Sequence, residues 1–221
     1  MSKTFIRLFL VRHGEATANT EMRYLGSRDD PLTERGQWQV AQLAQALAPL
    51  PIAAIYTSPL RRAADTAAAI AQESRLNATI DLRLIEGAFG EWEGLSRAEV
   101  IARGQLAADL LARWESDPSC APPGGESLED IQARALEYIH ELAAIHTGAS
   151  IVLVSHVGVI KALLCAAMGA PLSTARRMFL DVATISVVDW GAGAVAWQSQ
   201  AVLRLFNAHH HLGWEAAKWM K

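Results

Sequence analysis

Three short apolar runs, far apart along the chain, set the strongest limit on its fold. Phe5-Ile6-Arg7-Leu8-Phe9-Leu10-Val11, Ile52–Thr57 and Ile151-Val152-Leu153-Val154 are short and apolar, and each is read as a buried strand. Helical segments separate them. Thr33 is placed to cap a helix to about Ala48, ahead of Pro49 and Pro51, and Ser58-Pro59 starts a second through about Glu73. Ser127-Leu128-Glu129-Asp130 opens a long amphipathic helix to about His146, and Val159 to Met168 forms another. Thr79–Leu82 is expected to add a short strand, and Ala183–Trp190 with Val195–Leu203 a hairpin around Gly191-Ala192-Gly193. Strands alternating with helices predict an α/β protein: a three-layer α/β/α sandwich with a mostly parallel sheet and an antiparallel edge strand.

No repeat or linker divides the 221 residues, so one domain over 1–221 is expected, with the less regular segment 86–126 as a lid-like insertion. A net charge of −3 gives no general attraction to nucleic acid or to an anionic membrane. Any bound anion must therefore be held by a local cluster of positive groups. Cys120 and Cys165 fall in unlike contexts, without disulfide or metal-ligand spacing. No apolar run is long enough for a membrane span, and the N-terminal run is too short for a signal peptide, so a cytoplasmic protein is expected. The apolar hairpin at 183–203 would suit the interface of a homodimer if it forms a sheet edge.

The ends of the apolar runs carry the chemistry. The first gives way to Arg12-His13-Gly14, the second to Ser58-Pro59-Leu60-Arg61-Arg62, the third to Ser155-His156-Val157-Gly158. In a parallel sheet the carboxyl ends share one edge, where ligands bind, so two histidines and at least two arginines converge there. Guanidinium forks suit a phosphate dianion, and the helices that follow add backbone N–H groups and the positive ends of their dipoles. A neutral imidazole, kept unprotonated by nearby arginines, is a competent nucleophile toward phosphorus. The leaving oxygen then needs a proton, which a carboxylic acid beside the bound phosphate can supply.

Six blocks follow one another in a recognisable order: LVRHGE with Asn19 downstream, DDPLTERG, SPLRRAADTA, IEGAFGEWEG, GGES and VSHVG. In this order the chain resembles the histidine phosphatase superfamily, the phosphoglycerate mutase-like group, from about residue 8 to 190. The resemblance implies that His13 is the phosphorylated nucleophile and Arg12 a phosphate ligand. It places the family's second arginine on Arg62, directly before the Ala-x-x-Thr-Ala tail, rather than on Arg61. It implies His156 as the second pocket histidine, Glu86 as the proton donor ahead of Glu91 and Glu93, and Asn19 as a further hydrogen-bonding group for phosphate. No metal or other cofactor is implied, and the partner is a small phosphomonoester.

Mutases of this group carry a Tyr-Gly-x-Leu-x-Gly-Leu-Asn-Lys stretch after the acid, where this chain has Phe89-Gly90-Glu91-Trp92-Glu93-Gly94-Leu95. That form is more similar to the phosphatase branches, among them α-ribazole phosphatase and broad-specificity phosphomonoesterases, so hydrolysis is the expected reaction. A cofactor-dependent phosphoglycerate mutase is the first alternative and a non-catalytic phosphate-binding module the second. Arg23, Tyr24 and Arg28 lie in a loop open to substrate or simply to solvent. His209-His210-His211 cannot all face one ion on a regular element, which predicts a surface turn or pocket rim rather than a metal site.

Overall fold

The computed structural model describes residues 5–191 and 201–213. Six strands form one sheet: β1 (Phe5–Arg12), β2 (Ile52–Thr57), β3 (Ala78–Ile80), β4 (Ser150–Ser155), β5 (Ile185–Gly191) and β6 (Val202–Ala208), in the spatial order β3-β2-β4-β1-β5-β6. β1, β2, β3 and β4 run parallel to one another. β5 runs against β1, and β6 pairs antiparallel with it at the edge. The hairpin expectation holds in kind but not in position. Its second strand starts at Val202, and the stretch 195–200 lies outside the described residues.

Helices cover both faces. α1 (Thr17–Thr20) is a single turn after β1; α2 (Glu34–Leu47) and α3 (Arg61–Ser74) lie on one face, α6 (Leu128–Ile145) and α7 (Val157–Met168) on the other. Two shorter helices, α4 (Arg97–Ile101) and α5 (Gln105–Ser116), belong to the stretch between β3 and α6. The caps are those the sequence suggests. The Thr33 side chain accepts from Gly36 N, and Ser127 and Asp130 form a reciprocal capping box.

Alternation along β1 divides the core in two. Ile6, Leu8 and Leu10 pack with Leu142, Leu163 and Leu164 under α6 and α7, whereas Phe9 and Val11 face Leu43, Leu47 and Ile70 under α2 and α3. Each fully buried aliphatic side chain contributes roughly 1.5–3 kcal/mol. A polar ladder pins the antiparallel side: buried Asp189 on β5 accepts from Arg7 on β1 at 2.7 and 2.9 Å and from Arg204 on β6 at 2.8 Å.

Register decides what meets at the carboxyl edge. Arg12 pairs with Ser155 and Thr57 with Val154, so β1, β4 and β2 end level with one another. The first residues beyond them are His13, His156 and Ser58. Backbone bonds hold these ends in place, His13 N to Ser155 O at 3.2 Å and Ser58 N to Val154 O at 3.1 Å. Gly14 follows because a Cβ there would sit 2.7 Å from Val40 and 2.8 Å from Gly36 O, where α2 crosses.

Candidate active site

His13 lies at the centre, 2% exposed. Its Nδ1 donates to its neighbour's carbonyl, Gly14 O, at 2.7 Å, which leaves Nε2 as the ring nitrogen with a lone pair. That nitrogen accepts from Arg62 Nε at 3.3 Å. Burial drives the His13 pKa well below the ordinary histidine value, and the charges of Arg62 and Arg12 push it the same way. The ring is neutral at pH 7, in the tautomer a nucleophile needs.

Arg62 is fully buried at the start of α3. Beyond His13 it donates to Arg28 O at 2.5 Å and Gly26 O at 3.0 Å, so the loop after α1 is tied to it. The adjacent Arg61 points outward and faces Asp65 at 3.6 Å. Helix phase thus separates two neighbours that are equivalent in composition: one helical step carries the side chain from solvent to the sheet edge. Thr66, a turn later, accepts from Gly14 N at 3.2 Å and donates to Arg62 O at 2.7 Å, fixing the loop behind His13.

Among the described residues the Arg12 guanidinium makes one hydrogen bond, Nη1 to Leu180 O at 2.5 Å. Burial brings its pKa down to about 10, opposed by Glu86 and Asp181, so it stays charged at neutral pH. His156 caps α7 with its ring centroid 5.0 Å from that of His13 and its Nε2 2.7 Å from Ser58 Oγ. Burial, then the neighbouring His13 and the arginines, lower its pKa as well. Arg12 Nε and His156 Nδ1 are both buried without a hydrogen-bond partner among the described residues. Two unpartnered buried polar atoms beside one imidazole, in a protein interior where such groups are normally satisfied, leave hydrogen-bonding capacity there for an external group.

Glu86 stands opposite, 7% exposed. Its carboxylate accepts from Gly87 N at 3.0 Å and Gly158 N at 3.3 Å, between the loop after β3 and the first turn of α7. Ser155 Oγ donates to Leu84 O at 2.7 Å and anchors that loop. The competing carboxylates are engaged elsewhere. Glu93 binds Ser27 Oγ at 2.9 Å and Phe89 N at 3.2 Å, while Glu91 is exposed near Arg103. Asn19 lines the pocket, but its Oδ1 accepts from Ala16 N at 2.9 Å across α1.

Arg12, His13, Asn19, Arg62 and Glu86 therefore enclose one cavity of about 180 Å³ that also borders Tyr24 and Phe89. His156 touches this group through His13. Ser58, Thr66 and the Gly26 and Arg28 carbonyls complete the framework; sequence reasoning assigned none of them this role, although Ser58, Thr66 and Arg28 lie in stretches it singled out. Ser58 had a signal, being the first residue past β2, level with both histidines. Thr66 had one too, as the threonine of the Ala-x-x-Thr-Ala tail, whereas Gly26 and Arg28 act through backbone carbonyls, which leave no mark in the sequence.

Arg23 bonds Gly94 O at 2.7 Å and Glu99 at 2.6 Å, and Tyr24 packs among Phe89, Trp92 and Trp114, so the loop 20–30 is joined to the segment beyond Glu86. The three histidines stand apart, in and beside a short turn, with His209 buried and His211 Nε2 donating to Ala183 O at 2.8 Å. Among the described residues no helix is long and apolar enough to cross a membrane.

Fold and site together define an α/β protein with a buried, neutral histidine set between two arginines at the carboxyl edge of the sheet. The chain belongs to the histidine phosphatase superfamily, branch 1, whose family model matches residues 8–202. It is 35% identical over 209 residues to phosphoserine phosphatase 1 of Hydrogenobacter thermophilus, spanning 94% of this chain and 95% of that protein. A bifunctional protein of Mycobacterium tuberculosis is 38% identical over 198 residues, 88% of this chain and 54% of that protein, so the chain spans about half the length of that curated relative. Among solved structures, mycobacterial glucosyl-3-phosphoglycerate phosphatase superposes with a TM-score of 0.78 at 31% identity, covering 91% of this chain and 98% of that one.

Proposed function

We propose that this protein is a phosphatase that hydrolyses a small phosphomonoester in two steps through a phosphohistidine on His13. The observation that carries the reading is a buried, neutral His13 lining one pocket with Arg12, Arg62 and Glu86, where Arg12 Nε and His156 Nδ1 have no partner among the described residues. Phosphatases appear by name among the relatives, one acting on phosphoserine and one on glucosyl-3-phosphoglycerate.

Nε2 attacks phosphorus as the bond to the ester oxygen breaks, and protonated Glu86 gives its proton to the departing alkoxide. Arg12, Arg62 and His156 hold the equatorial oxygens, where catalysis is mainly positioning and charge neutralisation. The phosphoimidazolium keeps its Nδ1–H against Gly14 O, so no second proton has to move at that stage. Water then attacks phosphorus, the Glu86 carboxylate takes a proton from it, and the P–N bond breaks to return neutral His13. The segment 86–126 covers the alcohol as a lid within a single domain over 1–221. Buried free thiols at Cys120 and Cys165 suit a reducing cytoplasm.

Quenching in alkaline denaturant during turnover of a phosphomonoester, with an acid-treated aliquot as control, decides the matter. A base-stable, acid-labile phosphoprotein in the wild type, absent in His13→Ala along with phosphate release, supports the scheme. Release without any phosphoprotein refutes it, as does full activity in His13→Ala. Transfer to glycerate in excess over release would make the enzyme a mutase.

A further inference from the structure

Beyond Glu86 lies a second cavity of about 170 Å³, whose lining shares Glu86, Phe89 and Val157 with the phosphate pocket. It therefore adjoins both Glu86 and the phosphate pocket. Its walls are mostly apolar, from Phe89, Leu128, Ile131 and Val157, yet two cations border it, Lys161 and Arg176.

Lys161 is half-buried on α7, three residues past Gly158, whose N–H holds Glu86. That spacing puts it on the same helical face one turn further on. Its ammonium forms no hydrogen bond or ion pair among the described residues. The other charged groups at the cavity are already engaged. Glu126 is gripped by Arg134 at 2.9 and 3.1 Å and by Ala88 N at 3.2 Å. Arg176 stacks 3.9 Å above the Trp114 ring and donates to Trp114 O at 2.8 Å, so its position at the mouth is set by packing. A partly desolvated, unpaired ammonium in an apolar pocket is costly unless an anion meets it.

On the reading that His13 and Glu86 cleave a phosphomonoester, we infer that the leaving alcohol carries a carboxylate which binds Lys161, with Arg176 at the rim. A single unpaired ammonium matches one negative charge better than a second phosphate dianion. The small volume suits a short hydroxy acid next to the ester oxygen.

Lys161 is surrounded by Arg12 from β1, Arg176 from the turn before β5, Glu86 from the loop after β3, Glu126 ahead of α6 and Cys165 on its own helix. Burial, then Arg12 and Arg176, bring its pKa down to about 8, opposed by Glu86 and Cys165. Preference for an acidic alcohol should therefore decline as pH rises through about 8 and the ammonium loses its proton.

The test compares phosphate release from 3-phosphoglycerate and glycerol 3-phosphate, which differ only in carboxylate against hydroxymethyl, with para-nitrophenyl phosphate as a third substrate. Wild type is expected to favour the acid by about tenfold or more in kcat/KM, equivalent to one charge-assisted contact. In Lys161→Met the ratio should fall toward one, chiefly through KM, since the contact holds substrate and transition state alike. Independently of whether that variant folds, the wild-type ratio should decline above about pH 8. Equal turnover of the two three-carbon esters, a preference that survives Lys161→Met, or a flat wild-type ratio across that pH range overturns the inference. Turnover of para-nitrophenyl phosphate alone overturns it too, while leaving the phosphatase reading intact. No release from any of the three overturns both.

Discussion

Gly158→Ala would place a Cβ 2.5 Å from Oε1 of Glu86 and 3.5 Å from its Cδ. Backbone is not what it meets; the obstacle is the mobile end of one side chain. Restoring an ordinary contact of 3.4 Å means moving the carboxylate oxygen by about 1 Å. Position 158 has helical geometry in the first turn of α7, where alanine is favoured over glycine by up to about 1 kcal/mol. The fold should thus tolerate the change, with an unchanged or slightly raised melting temperature. The acid should not. A displacement near 1 Å costs on the order of 100-fold in a positioned catalytic group, within the 10²–10⁴ that general acids contribute. An alkyl phosphate, whose alkoxide must be protonated, should lose about 100-fold in kcat, whereas para-nitrophenyl phosphate, whose leaving group is a far weaker base, should lose only a few-fold. Steady-state kinetics on the two esters with a thermal melt make the measurement. Equal losses on both, or a large drop in melting temperature with no difference between them, would refute the assignment of Glu86 as the acid.

Other outcomes follow from the buried charges. Arg62→Met removes the larger of the two arginine influences that depress His13, so its pKa should move upward, read by the ring resonances in an NMR titration, with kcat reduced by about 10²-fold or more. An unmoved His13 would show that burial alone sets it. Stability should fall below about pH 6.5, because the unfolded chain takes up protons that buried His13 and His156 refuse. Each contributes up to about 1.4 kcal/mol per pH unit, measured by denaturant titration between pH 5 and 7.5. A flat profile there would contradict the neutral state of both rings.

The strand ends and their order were legible because three apolar runs stop at chemistry-bearing residues, and parallel register lines those stops up. Arg61 and Arg62 could be told apart only by motif position in the sequence; in the fold, the phase of α3 buries one and exposes the other. The far end of the edge strand, Ala208 rather than Leu203, was hidden because bulged pairing between β5 and β6 breaks simple alternation, with register shifts around Val187. Arg204, facing Asp189, carries a signal for the true strand that becomes visible only once the partner is known. Lys161 was passed over for a related reason. It is the one cation in the apolar run from Val157 to Met168, and a lone lysine there resembles a solvent-facing residue until the neighbouring cavity is seen.

Arg62 spends two of its donors on the carbonyls of Gly26 and Arg28 and a third on His13. Its side chain works as a keystone whose seat is cut partly from the 20–30 loop. Exchanging that loop between related enzymes, as one would to transplant a preference for a different alcohol, would then also reset the grip on phosphate. Segments further along, such as α4 and α5, make no such bond to Arg62, so exchanging them disturbs only their own ties to the loop, Arg23 to Glu99 and Tyr24 to Trp114. A chimera that keeps Gly26 to Arg28 with their native partner, and imports only what lies past Glu86, has the better prospect of retaining turnover while changing its choice of alcohol.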